Sequence, residues 1–153
     1  MFTNPKNILS EKEHGFTLIE LIIVIVIVGI LAAVGISQYS LMVEKSRLAE
    51  AKVRIGTMRQ LVYEYYTNNG TVTGIQNADV GVDNTCASTN FYRYKVEDDT
   101  IYVQLYANRC TSGGKTPNAS RAYAYYLTFY PGTGQNDWHC HYVDDASACF
   151  GMP

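Results

Sequence analysis

Cysteine is missing from the first 85 residues of this 153-residue chain, and charge is missing from a whole segment, Leu21 to Ile36, where LIIVIVIVGILAAVGI runs for 16 residues. An excess of basic residues is missing too. Against 14 Asp and Glu stand 12 Lys and Arg, a net charge of −2, so bulk composition offers no basic face for nucleic acid. No HExxH, P-loop or GxGxxG occurs, and Ser, His and Asp fall in no recognisable nucleophile motif. The chain therefore reads as a non-enzyme, with no cofactor and no metal. Disorder is excluded as well, because apolar residues make up 47% and charged ones only 17%.

What is present is one long apolar run followed by a mixed, polar remainder. Counted from Phe16, the run reaches Ile36 in 21 residues, which as a helix covers about 30 Å of hydrocarbon and is enough to span a bilayer. Its one ionisable residue is Glu20, one turn from its start. The 15 residues in front, MFTNPKNILSEKEHG, lack the positive flank of a cleavable secretory signal, since Lys6 and Lys12 are offset by Glu11 and Glu13. Ala33-Val34-Gly35 matches the small-residue pattern at which such a signal would be removed. Against cleavage there stand the length of the run and the carboxylate inside its beginning.

The stretch His14-Gly15-Phe16-Thr17-Leu18-Ile19-Glu20, followed by 14 apolar or small residues from Leu21 to Val34, resembles the start of a type IV prepilin. The resemblance implies that prepilin peptidase cuts after Gly15 and methylates the new amino terminus at Phe16, so that the apolar helix stays on the mature protein. It implies further that Glu20 pairs with the Phe16 amine of a neighbouring subunit during assembly. Left to itself, Glu20 would snorkel to the interface or pair with its own amine at the positive end of the helix dipole. One departure is Ser37, which stands where many pilins have proline; Gly35 can still permit local unwinding, because glycine in a helix interior costs about 1 kcal/mol relative to alanine, and the sequence leaves open whether the helix bends or melts there.

Beyond the apolar run the helical pattern continues. Positions 41, 44, 48, 51, 55, 58, 62 and 65 are Leu, Glu, Leu, Ala, Ile, Met, Val and Tyr, seven apolar of eight at alternating 3 and 4 spacing. The remaining faces carry Lys45, Arg47, Glu50, Lys52, Arg54, Arg59 and Glu64, which reads as a solvated or subunit-facing surface. The Asn-Asn-Gly at 68 to 70 ends the pattern, giving one helix over 16–67, roughly 78 Å if unbroken. Its apolar stripe has to be covered by the residues that follow.

Residues 68–90 have no sustained period and read as a long surface connection. Strand signals then run from Phe91 to Val96 and from Thr100 to Ala107 across a Glu-Asp-Asp turn. A second pair runs from Arg121 to Tyr130 and from Trp138 to Val143, joined by Pro131 to Asp137. The expected fold is α+β: a four-stranded antiparallel sheet packed on the stripe of the helix, which is also the arrangement the pilin resemblance implies. The domain plan is a cleaved leader at 1–15, a membrane and filament-core helix at 16–36, an amphipathic helix at 37–67, the connection at 68–90, and the sheet with a disulfide-bounded loop at 91–153.

All four cysteines follow the apolar segment, as two disulfides in an exported domain require, and three pairings exist. The pairs expected are Cys140 with Cys149, closing a C-terminal loop of the kind pilins often have, and Cys86 with Cys110, tying the connection to a strand end. A metal site of His139, Cys140, His141 and Cys149 is the rival, but on a strand both histidines point away from Cys140 and the spacing fits no zinc module. The 13 tyrosines suit half-buried strand faces. Asn69-Gly70-Thr71 and Asn118-Ala119-Ser120 match a weak glycosylation pattern.

These residues lead to an expectation of a type IV pilus structural subunit. It would sit in the inner membrane before the assembly machinery moves it into an extracellular homopolymer serving adhesion, twitching motility or DNA uptake. A pseudopilin of a type II secretion system is the alternative. A monomeric membrane-anchored binding protein or a DNA-binding minor pilin is a third class, and the latter would need a local basic stripe.

Overall fold

A computed structural model describes residues 15–119 and 122–142. The order is one helix, α1 (Leu18–Asn69), then strands β1 (Tyr92–Asp98), β2 (Val103–Arg109), β3 (Tyr123–Tyr130) and β4 (Gln135–Tyr142). The chain divides into two units, one ending at Ser40 and the other beginning at Leu41. In the first, α1 runs through Gly35 without interruption, and its apolar window is 0% buried. The question the sequence leaves open at Gly35 is thus answered by a continuous helix.

In the second unit the stripe read from the sequence faces inward. Leu48, Ala51, Ile55, Met58 and Val62 are fully buried, and Glu44, the one polar member, is buried with them. The helix ends two residues later than expected because the stop is Gly70 itself. At φ +72 it adopts the left-handed conformation that glycine tolerates, and its N–H donates to Tyr66 O at 2.8 Å, satisfying an orphan carbonyl of the last turn.

The four strands form one antiparallel sheet in the order β1-β2-β3-β4, an up-and-down arrangement in which consecutive strands are neighbours. Strand bounds differ from the sequence reading in two places. β1 continues through Glu97 and Asp98, which pair with Gln104 and Val103, so the turn moves to 99–102 and Ile101 lies outside β2, 66% exposed. β4 begins at Gln135 rather than Trp138, because the turn closes at Gly134, whose φ is +75 and whose N–H reaches Tyr130 O at 2.8 Å. The polar Gln135, Asn136 and Asp137 then pair with Tyr130, Phe129 and Thr128. The expected limits at Arg121 and Val143 lie outside the described residues.

Alternate residues of β1, β2 and β3 supply the other half of the core: Tyr92, Tyr94 and Val96; Val103, Leu105 and Ala107; Tyr123, Tyr125, Leu127 and Phe129, with Trp138 and Cys140 of β4 partly buried against it. The 68–90 connection is more than surface. It buries Val72, Ile75, Val80 and Val82, and it shields the open edge of β1, where Tyr94 N–H donates to Asp83 O and Val96 N–H to Asn77 Oδ1.

The charges of α1 also differ from the expected solvated face. Several basic side chains lie along the seams between helix and sheet with their cations over aromatic rings: Arg47 5.0 Å from the Phe91 centroid, Lys52 5.1 Å from Tyr125, and Arg59 5.8 Å from Phe129. Arg54 donates to Gly81 O at 2.5 Å, pinning the connection.

Candidate functional site

Two sets of residues carry chemistry, one in each unit. At the start of α1, Thr17 is the N-cap and Glu20 the third helical residue. Glu20 N–H points to Thr17 Oγ1 at 3.4 Å, while Thr17 N–H and Oγ1–H donate to Glu20 Oε2 at 2.8 and 2.6 Å. This is a reciprocal capping box: the side chains of the two residues satisfy each other's orphan donors. A carboxylate at the edge of an apolar segment thus has two donors from its own chain, and the helix dipole adds to its stabilisation. Phe16 stands just outside the helix, 78% exposed, and Gly15 precedes it in open space.

In the second unit the site is the buried carboxylate of Glu44. Arg109, at the end of β2, meets it in a fork, Nε to Oε2 and Nη2 to Oε1, both at 3.1 Å, and Arg47 pairs with Oε1 from the next turn of the helix. Tyr123 O–H donates to Glu44 Oε2 at 3.1 Å, and its oxygen lies 2.7 Å from that of Tyr92. Arg109 uses its remaining donors on backbone carbonyls, those of Phe91 at 2.9 Å, Cys110 at 3.2 Å and Thr116 at 2.7 Å. One guanidinium therefore joins α1, the start of the sheet and the 110–118 loop. Burial works against charge on Glu44, but the hydrogen bonds and charge of Arg109, then Arg47, outweigh it and hold the carboxyl below its usual range. Burial also raises the Tyr92 and Tyr123 hydroxyls, so both stay protonated as donors.

Cys110 follows Arg109 directly and is joined to Cys86, with 5.8 Å between Cα atoms. Gly114 packs on this bridge, where an added Cβ would strike Cys110 Cβ and Sγ. Cys140 is disulfide-bonded too; its expected partner, Cys149, lies outside the described residues. Cys140 packs against the core from β4, whereas His139 stacks on Tyr126 with ring centroids 4.9 Å apart and approaches Asp137 at 3.3 Å. Among the described residues no His, Cys, Asp or Glu side chains group as metal ligands.

The sequence reading singled out Gly15, Phe16 and Glu20, which the structure places together at the start of α1. It missed Glu44, Arg109 and Tyr123 as a unit. A signal was there: Glu44 falls in phase with the apolar stripe of α1 and Arg109 in phase with Val103, Leu105 and Ala107. Two opposite charges each occupied an inward position.

Comparison with known proteins adds four findings. Residues 11–36 match the family model described as the prokaryotic N-terminal methylation motif. The chain is 43% identical over 74 residues to the fimbrial protein EcpC of Eikenella corrodens, covering 48% of each chain. It is 37% identical over 99 residues to the type IV major pilin protein PilE of Neisseria gonorrhoeae, covering 63% of this chain and 59% of that one, and 40% identical over 89 residues to a fimbrial protein of Neisseria meningitidis, covering 58% and 52%. The chain spans about half the length of the curated relatives it matches. The methylation motif, the pilin and fimbrial relatives, and the long helix packed on a four-stranded antiparallel sheet support a type IV pilin.

Proposed function

We propose that this chain is the precursor of a type IV pilus structural subunit. Prepilin peptidase cuts after Gly15 and methylates Phe16, the apolar half of α1 holds the subunit in the inner membrane, and the assembly machinery gathers it into an extracellular filament. The carrying observation is the apolar stretch of α1, wholly uncovered, on a chain whose second unit has a complete core of its own. A surface of that kind is tolerated only in lipid or against other helices. Passage from bilayer to bundle keeps it covered throughout. Glu20 moves from its capping box with Thr17 to the Phe16 amine of the next subunit, exchanging neutral donors for a charged one in a water-poor core. The Cys140 bridge is completed by Cys149, closing the C-terminal loop. Adhesion, twitching motility or DNA uptake would then be properties of the filament.

Replacing Glu20 tests this. Glu20→Ala is expected to reach the membrane in wild-type amount, because it removes a carboxylate that is costly there, yet to yield filaments at least tenfold below wild type, roughly the effect of losing a charge-assisted bond. Wild-type filament yield from Glu20→Ala would remove the intersubunit pair from the scheme.

A further inference from the structure

Charge is sorted along the outer face of the sheet, the face turned away from α1. No Asp or Glu occurs between Asp99 and Asp137, so the acids of the strands, Glu97, Asp98 and Asp137, gather at the end where β1 finishes and β4 begins. At the opposite end a row runs straight across the four strands, Arg93 to Asn108 to Ala124 to His141, each residue the cross-strand partner of the next. Three strand spacings separate the two ends of this row, about 14 Å. Ala124, the one small side chain in it, leaves a hollow of about 200 Å³, which Thr111 also lines and no acid does. Among the described residues, the side chains of Arg93, Asn108, Thr111 and His141 have no hydrogen bond or ion pair.

The chemistry of the row limits what it can hold. Neighbouring cations are already engaged: Lys95 pairs with Glu97, Lys115 lies 4.9 Å from the Phe91 centroid, and Arg109 forks onto Glu44. Arg93 remains, an exposed guanidinium whose planar fork suits one carboxylate. A nucleic acid needs several cations along its phosphates, and among the described residues this end of the sheet offers one. Asn108 and Thr111 add groups that both donate and accept, the complement of sugar hydroxyls, and the His141 ring closes the far side. Sites for drug-sized ligands run from roughly 300 to 1,000 Å³, so the smaller hollow has room for a single sugar residue. We infer that the hollow between Arg93 and His141 is a binding site for one carboxylated sugar residue, a sialic or uronic acid, with its carboxylate on Arg93 and its hydroxyls on Asn108 and Thr111. The inference goes beyond the filament reading and does not depend on it, since the site is complete within one chain.

The test uses the full chain solubilised in detergent, with ligand-observed NMR reading the affinity of three probes: the methyl glycosides of N-acetylneuraminic acid, glucuronic acid and galactose. One or both acidic glycosides are expected to bind about tenfold more tightly than the galactoside, the effect of a charge-assisted pair, and which of them binds tells a sialic from a uronic acid. Arg93→Ala is expected to remove that margin, and Arg93→Lys to recover only part of it, because an ammonium keeps the charge without the fork. Ala124→Leu, which fills the hollow from the outer face, is expected to abolish binding of the acidic glycosides while the thermal midpoint stays at the wild-type value. Acidic glycosides that bind no better than the galactoside, or that bind Arg93→Ala as well as wild type, overturn the inference. So does a single-stranded oligonucleotide that binds more tightly than either glycoside with an affinity falling steeply with salt. Binding that appears only after Asp144→Asn with Asp145→Asn would put the chain's own acids in the hollow and overturn it as well. Failure of the wild-type chain to form filaments bears on the filament reading alone.

Discussion

Glu44 occupies a place in α1 that the spacing of Leu41, Leu48, Ala51 and Ile55 reserves for an apolar side chain, and Arg109 does the same on β2. Each charge alone would be intolerable there; together they form a fork, and Tyr123, Arg47 and three carbonyls take the other bonds. Removing one member leaves the other charged and buried. Glu44→Ala is therefore expected to destabilise the second unit by about 3 to 5 kcal/mol, seen as a lower urea midpoint for the detergent-solubilised chain. The same carboxylate gives a pH dependence. Its pKa is lower in the folded protein than the 4.5 of a free Glu, so its stabilisation is complete above about pH 4.5 and is lost as pH falls through the folded value. Wild type should thus lose stability toward acid more steeply than Glu44→Gln. Parallel pH profiles for the two would show that Arg109 does not hold Glu44 ionised.

Among elements, the helix was the most legible in the sequence, because a stripe of period 3.6 can be counted, and six of its eight members prove to be buried, with Leu41 and Tyr65 partly so. Strand existence and pairing were legible from alternation and turn residues. Strand ends were less so, since Gln135, Asn136 and Asp137 look like loop yet gain ladder partners in β3. The 68–90 connection gave no period to count; Val72, Ile75, Val80 and Val82 are buried by contacts from elsewhere in the fold, which no local pattern encodes. The loop after β2 is fixed by three devices within six residues: the Arg109 bonds, the Cys86–Cys110 bridge and the flat approach of Gly114. Gly114→Ala is expected to cost about 1 to 3 kcal/mol through overpacking against Cys110, measured by thermal unfolding under non-reducing conditions. An unchanged midpoint would mean that the loop moves away at no cost.

At the scale of the whole molecule, two units with opposite relations to solvent share one helix. One hides its apolar residues behind a sheet; the other leaves them all uncovered and caps its end with a carboxylate bound to its own N-cap threonine. Everything depends on the apolar half of α1 surviving processing. The direct measurement is the intact mass of the chain in purified filaments. A species beginning at Phe16, one methyl group heavier than its sequence and retaining the whole Leu18 to Ile36 segment, is the expected result; a species beginning near Ile36, or one still carrying residues 1–15, would contradict it.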